Sequence, residues 1–328
     1  MTTTVDLGLA RLSDDLLFAA VLSYAVALVG YAVEAAFRPR RDALAGRPRI
    51  AGGAVDTMPA ELETRNARRQ ARARRAWPTY AGRLGVVATV TGWALHNGSV
   101  VTRGLAAHRV PWGNMYEFSS VVCLVAVTAF LVLLARSDVR YLGAVVMLPV
   151  VLYLGLAATV LYAPAAPLVP ALHSYWIKIH VVAAMSASGL FMLGFAVTTT
   201  FLVKDAWERR PAGRGERSGL LAKLPPATSI DRVAHGVISL AFPIWTFAVI
   251  AGAIWAEAAW GRYWGWDPKE TWSFITWLVY AGYLHARATA GWRGRKAALV
   301  SIAGFASLMV TYYAVNLWIS GLHSYAGV

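Results

Sequence analysis

Ile177-Lys-Ile-His-Val-Val-Ala-Ala-Met-Ser-Ala-Ser-Gly-Leu-Phe-Met-Leu-Gly-Phe-Ala-Val-Thr-Thr-Thr-Phe-Leu-Val203 decides the fold class. Beyond Lys178 the run holds no acid, lysine or arginine. It exceeds the roughly 20 apolar residues that a helix needs to cross a hydrocarbon core about 30 Å thick. Seven similar runs accompany it, at residues 16–37, 80–101, 115–135, 141–162, 233–255, 272–289 and 298–320. Only helices and closed barrels satisfy their backbone polar groups in lipid, and none of the runs has the alternation of a barrel strand. The expectation is an all-α polytopic membrane protein with about eight transmembrane helices. Composition agrees: the 328 residues are 58% hydrophobic and mean hydropathy is +0.50, whereas soluble domains are usually no more than about half apolar.

Charge sets the orientation. The formal net charge is +14, and the cations gather in alternate loops. Eleven Arg fall between Arg38 and Arg75, and seven Lys/Arg between Lys204 and Arg232. Arg136 and Arg140 mark one turn, and Arg293, Arg295 and Lys296 another. The intervening loops hold only Arg103, Arg109, Arg262 and Lys269. Cytoplasmic loops carry such an excess, so both termini are expected outside (N-out/C-out). Placement of this kind points to the lipid membrane and not to nucleic acid. The single cysteine, Cys123, sits in an apolar run and excludes a disulfide framework. No cleavable signal pattern opens the chain, so the first helix is expected to remain as an anchor. Three segments are expected: residues 1–37 as the first transmembrane helix, 38–76 as a basic cytoplasmic linker, and 77–328 as the transmembrane domain that carries function. Within the linker, 38–59 reads as mobile and 60–76 as a basic helix lying on the inner leaflet. A second mobile loop is expected over 211–226.

The outward loops are of a different character. Residues 103–114 carry Arg103, His108, Pro111 and Asn114, with Tyr116 and Glu117 at the next helix start; residues 163–176 hold three prolines. The loop 256–272 contains Trp260-Gly-Arg-Tyr-Trp-Gly-Trp-Asp-Pro-Lys-Glu-Thr-Trp272. Interfacial belts spread Trp and Tyr over many helix ends, whereas here they crowd one loop among glycines and charges. Flat apolar faces beside charges suit a large planar ligand with charged edges, such as a porphyrin. Trp260, Tyr263, Trp264 and Trp266 supply faces, and Arg262 or Lys269 could meet propionates. Asp267 either organises the loop, tunes a propionate, or caps the helix that begins near Pro268.

Two histidines, His180 and His323, fall near the level of this loop, where two neutral imidazoles can ligate haem iron from opposite faces. His285 lies thirteen residues beyond Trp272, which is about 20 Å below the outer surface and in the inner half of the membrane, a depth that argues for function. His96 is expected roughly 24 Å above the inner face, against about 10 Å for His285. The two therefore do not share one iron. A partner ligand for His285 comes from another chain or is absent, and His96 reads as structural. His108 and His235 are weaker candidates. His173 and Glu117 are possible groups behind the ligands.

At these residues the chain resembles the tryptophan-rich (WWD) haem-handling proteins, and more narrowly the CcsA/ResC type of the system II cytochrome c biogenesis pathway, in some usages called CcsB. The likeness runs from about Tyr80 to the end and includes Pro111-Trp-Gly-Asn-Met-Tyr-Glu117, His173-Ser-Tyr-Trp-Ile-Lys-Ile-His180, Thr276-Trp-Leu-Val-Tyr-Ala-Gly-Tyr-Leu-His285 and Asn316-Leu-Trp-Ile-Ser-Gly-Leu-His-Ser-Tyr325. It implies a multi-pass protein of a bacterial-type cytoplasmic membrane that carries haem b as ligand and substrate. It implies that His180 and His323 are the axial ligands of an outer site and His285 a transmembrane haem ligand. It further implies a thioether-forming synthase of two proteins, the second being CcsB/ResB-type, with apocytochrome c bearing Cys-x-x-Cys-His as acceptor and thiol-reducing proteins in support. No acid–base catalytic residue is implied. A haem exporter without attachment activity and a membrane haem redox protein are the alternatives.

Overall fold

A computed structural model describes residues 5–37, 58–167, 174–210 and 219–323, with backbone alone over 58–76. Among the described residues every regular element is a helix, and none is a strand. Eight long helices follow one another: α1 Leu7–Phe37, α2 Met58–Ala106, α3 Met115–Arg136, α4 Gly143–Thr159, α5 Tyr175–Glu208, α6 Ala227–Trp260, α7 Pro268–Ala288 and α8 Arg295–Met309. α8 continues through a π turn, Val310–Ala314, into the short α9, Val315–Trp318. Six of the described helices are long and apolar enough to cross a membrane: α1, α3, α4 with its leading turn, α5, α6, and α8 with its extension. The chain is a multi-pass membrane protein.

Contacts sort the helix ends into two sets. At one end Asp6 N–H donates to the Ala106 carbonyl, Tyr162 Oη donates to Asp14, and Tyr312 Oη donates to the Met115 carbonyl. This end also holds the tryptophan loop. At the other end Arg140 meets Glu34 at 3.0 Å, Arg287 meets Asp231 at 2.9 Å and Arg295 meets Asp205 at 3.5 Å. The helices thus alternate in direction, and the basic loops share one end, as the charge pattern predicts.

α1 packs on α2 and α4, α3 joins α4 to α5, and α5 lies along α6 and α8 while α7 closes on α8. Small residues allow the closest approach. A methyl on Gly30 would stand 2.8 Å from the Ala81 carbonyl, so α1 and α2 meet backbone to backbone there. The core between the halves is aromatic and aliphatic; Phe191 of α5 stacks on Tyr280 of α7 at 3.9 Å.

Three local expectations change. The basic segment of 58–76 is the continuation of α2 and not a separate surface helix. At about 1.5 Å per residue this helix is roughly 74 Å long, so its start projects past the bundle at the basic end. Of the loop 211–226, the described part is anchored: Leu220–Lys223 form a 3₁₀ turn and Lys223 Nζ donates to the Ala36 carbonyl at 2.7 Å. A cation on the last carbonyls of α1 also suits its helix dipole. Finally, α7 starts at Pro268, four residues before Trp272. His285 is then in its last turn, roughly 26 Å from the helix start and closer to the basic end than counting from Trp272 places it. Residues 38–57 lie outside the described residues.

Candidate functional site

An open cavity enters the tryptophan-loop end between α3, α5, α6, α7 and α8, with about 1160 Å³ of unfilled space, its mouth included. Phe118, Trp245, Trp255, Trp260, Trp264 and Tyr312 give it apolar walls, and His180, Lys269 and His323 reach it as polar groups. Apolar walls with few convergent polar groups are the usual form of a cofactor or ligand pocket.

Helix starts place the polar groups. Ser174 caps α5 by accepting from Trp176 N–H at 3.2 Å, which sets His180 in the second turn. Its Nδ1 lies 2.8 Å from the Ala248 carbonyl of α6. A carbonyl only accepts, so Nδ1 carries the proton and Nε2 keeps its lone pair. Trp255 stacks on the ring, 6.3 Å between centroids and 8° between planes. The facing position must be glycine, because a methyl on Gly252 would stand 2.7 Å from Nδ1.

His323 reaches the cavity from the turn after α9. Its Nδ1 is 2.7 Å from Asp267 Oδ2, Trp260 meets it edge to face at 4.9 Å, and Trp255 lies 5.8 Å away. Burial, and then the nearby Lys269 charge, hold the imidazole down to about 4, against the Asp267 bond that favours its protonation. It is therefore neutral at pH 7. Burial alone would raise the Asp267 carboxyl, but the bonds from Leu322 N–H and His323 hold it below the usual carboxylate range. Among the described residues no cluster of three or more His, Cys, Asp or Glu could hold a bare metal ion. Two neutral imidazoles on one cavity suit a metal whose remaining ligands arrive with it.

The loop between α6 and α7 is built by glycine and acid. Gly261 ends α6 at φ 70, the left-handed region that glycine tolerates. Glu270 Oε2 accepts from Gly265 N–H at 2.8 Å and Asp267 N–H at 3.1 Å, closing a capping box with Asp267. Trp266 holds φ 60, a region that costs a non-glycine residue energy and clusters at functional sites. It is exposed and meets Trp264 at right angles, 5.8 Å away. Arg262 lies over Gly265. Lys269 Nζ donates to Asn316 Oδ1 at 2.8 Å.

Of the residues singled out from sequence, His180, His323, Trp260, Tyr263, Trp264 and Lys269 line this one cavity, and Arg262, Trp266 and Asp267 do not. Asp267 sits behind His323. Glu117 stands one step further back: buried, it binds Arg103 at 3.0 Å and Arg109 at 2.7 Å and accepts from Gly113 N–H at 2.7 Å. It thereby fixes the turn whose Trp112, Gly113 and Asn114 line the cavity. His173 lies outside the described residues. His285 is at the opposite end, exposed, its Nε2 3.2 Å from Thr289 Oγ1 of its own helix. His96 is fully buried between Ser120, 2.8 Å from Nε2, and Tyr24, 3.4 Å from Nδ1, a structural setting. His235 bonds Ser239 and Tyr283, and His108 takes a left-handed turn after α2. Sequence reading missed Trp255, Gly252, Tyr312 and Asn316. Trp255 was open to detection, since residues 245, 252, 255 and 260 recur on one face of α6 near helical spacing.

Comparisons with known proteins converge. The family described as cytochrome C assembly protein matches residues 112–323. The chain is 33% identical to the cytochrome c biogenesis protein CcsA of Gloeobacter violaceus, over 74% of this chain and 86% of that one. It is 36% identical to the CcsA of Gloeothece citriformis, over 68% and 81%. Among solved structures it resembles the cytochrome c haem lyase CcmF with a TM-score of 0.59 and 15% identity, over 95% of this chain and 47% of that one. At that identity the likeness concerns the fold alone.

Proposed function

The chain belongs to the cytochrome c assembly protein family, and on that premise we propose that it serves cytochrome c maturation by carrying haem across the membrane and presenting it in the cavity beneath the tryptophan loop. The observation that carries this reading is the pair of imidazoles. His180 and His323 both line the cavity, both contact Trp255, and both have Nδ1 engaged by a fixed oxygen. Nε2 is then the nitrogen of each that ligates iron. Haem is substrate here. Trp260 and Trp264 cover its face, Lys269 meets a propionate, and Tyr263 and Trp266 rim the mouth, with Arg262 a second cation for the carboxylates. Glu117 holds the opposite wall, and His173 belongs to the segment that leads into α5.

The tryptophan-loop end faces outside, in a bacterial-type cytoplasmic membrane, and the basic end faces the cytoplasm by the charge rule. His285, exposed near the basic end, is the earlier haem ligand, and its opposing ligand comes from a CcsB/ResB-type partner chain. At the outer cavity the histidine of an apocytochrome Cys-x-x-Cys-His segment displaces one imidazole. Each cysteine thiol then adds across a vinyl group: sulfur bonds one carbon, the thiol hydrogen ends on the other, and no net oxidation occurs. Thiol-reducing proteins keep both cysteines as thiols beforehand. The chain contributes position, exclusion of water and held ligands, and no acid–base residue is required of it.

The test is co-expression with the partner and an apocytochrome, followed by haem staining. His180→Ala and His323→Ala each cut covalent product at least about tenfold, in line with loss of a ligand-shell group. Normal product from either variant overturns the outer-site assignment. Haem delivered with no covalent product would favour an exporter.

A further inference from the structure

The Asp267 carboxylate accepts hydrogen bonds from two separate elements. Leu322 N–H donates to Oδ1 at 2.7 Å, Lys269 N–H to Oδ2 at 3.3 Å, and His323 Nδ1 lies 2.7 Å from Oδ2. The first two donors are backbone amides, so they cannot reverse. The carboxylate is buried, which confines these bonds to a site with little competing water. The capping role explains only the bonds from the start of α7. The other two tie the start of α7 to a turn more than fifty residues later. That turn can close over the carboxylate only because residue 321 is glycine: a methyl there would stand 2.7 Å from Asp267 Oδ1.

We propose that Asp267 is the positioning residue of the outer haem site, fixing His323 in the tautomer and orientation that offer Nε2 to iron and locking the C-terminal turn against the tryptophan loop. This rests on the reading of His323 as a ligand. The physical reason is one of donors and acceptors. A carboxylate offers only acceptors, so it draws the proton of a neutral imidazole to Nδ1 and leaves the Nε2 lone pair for metal; carboxylate–histidine–metal groupings act in this way. An amide at position 267 has one acceptor and one donor end. If its oxygen serves Leu322 N–H, its NH₂ faces His323 and drives the proton to Nε2, where it blocks ligation. If its oxygen serves His323, the NH₂ opposes Leu322 N–H and the turn is released. The loss of function of an aspartate-to-asparagine change beside a catalytic histidine has the same origin.

The test uses the full chain purified in detergent and titrated with haem b, read by absorption spectra and by affinity. Asp267→Asn and Asp267→Ser both retain a good N-cap for α7, and serine is too short to reach His323. Both variants are expected to bind haem about 10–100-fold more weakly and to lose the six-coordinate low-spin spectrum, with added imidazole restoring it. His323→Ala is run alongside. If His323→Ala loses the six-coordinate spectrum while both Asp267 variants keep it at unchanged affinity, the positioning role is wrong and the ligand assignment stands. If His323→Ala itself keeps the wild-type spectrum, the ligand assignment fails, and the proposal with it. Asp267 variants that melt as the wild type does yet lose the spectrum exclude a merely structural role.

Discussion

The two ends of the bundle are built by different chemistry. Each long helix that starts at the tryptophan-loop end has a side-chain cap: Asp6 for α1, Asn114 for α3, Ser174 for α5 and Asp267 for α7. The starts of α4, α6 and α8, at the basic end, fall after Leu142, Pro226 and Gly294, none of which gives a side-chain cap. There cations hold the ends together instead, as Lys223 does on the carbonyls of α1 and Arg287 on Asp231. Histidines follow the same division. His180 and His323 are each held by a partner on another element, whereas the side-chain hydrogen bond of His285 among the described residues is to Thr289 of its own helix. One end is a cavity whose histidines are held from other elements; the other presents an exposed imidazole whose described side-chain hydrogen bond stays within its own helix. A site that must hold a ligand in one geometry needs rigid support, and a site completed by another molecule needs an open face.

The sharpest way to break this contrast is to cut the support of the cavity wall. Glu117 is buried and ion-pairs with Arg103, buried beside it, and with the half-buried Arg109. Removing one partner of a buried ion pair costs about 3–5 kcal/mol. Glu117→Ala is therefore expected to lower the thermal midpoint strongly and to weaken haem binding, while Glu117→Gln, which still accepts from Gly113 N–H, falls between. Thermal melts of the purified chain with and without haem check both. Unchanged melting in Glu117→Ala would mean that the network is not what holds the turn 107–114.

A smaller effect separates the ends within a single helix. Gly252 and Gly236 both lie on α6, one toward each end. A methyl at Gly252 would press on the His180 ring at 2.7 Å, whereas a methyl at Gly236 meets nothing within 4 Å. Gly252→Ala is expected to displace His180 from the Ala248 carbonyl at the cost of overpacking, about 1–3 kcal/mol. Haem affinity falls with it. Gly236→Ala gains helix propensity worth up to about 1 kcal/mol and leaves haem spectra unchanged. Equal behaviour of the two variants would erase the distinction.

Much of this was legible in the sequence because the governing signals are local. Apolar runs locate helices whatever surrounds them, and basic loops assign ends by counting. The tryptophan density of residues 260–272 and the two flanking histidines likewise need no tertiary knowledge. The start of α7 was also legible, since Asp267-Pro-Lys-Glu270 is a capping box with proline at the first turn; hydropathy alone began the span at Trp272 and so placed His285 too shallow. The π turn at Val310–Ala314 has no such local signature, although it sets Thr311 and Tyr312 on the cavity wall. The Asp267–His323 bond joins residues separated by most of two helices. Asp267 therefore read as a cap or a propionate partner, and its hold on His323 waited for the folded chain. Arg262 and Lys269 were indistinguishable as cations in sequence, yet only Lys269 lines the cavity.

The smallest structural effect belongs to His285, and it is the most telling for the comparison. The side chain is exposed, and its hydrogen bonds stay within the last turn of α7, where Thr289 also bonds the His285 carbonyl. Exposed positions without long-range partners contribute little to stability, so His285→Ala is expected to melt as the wild type does. Haem added to the purified variant should still give the outer-site spectrum, because His180 and His323 are untouched. Under the proposed function, holocytochrome yield in cells should nevertheless fall, because haem arriving from the cytoplasm would lose its first ligand. Those three measurements separate the ends: melting reports the fold, added haem reports the cavity, and yield in cells reports passage between them. Full yield from His285→Ala would mean that haem reaches the cavity without passing that histidine. Loss of the added-haem spectrum would mean that the two ends are coupled through α7, from Asp267 at its start to His285 in its last turn.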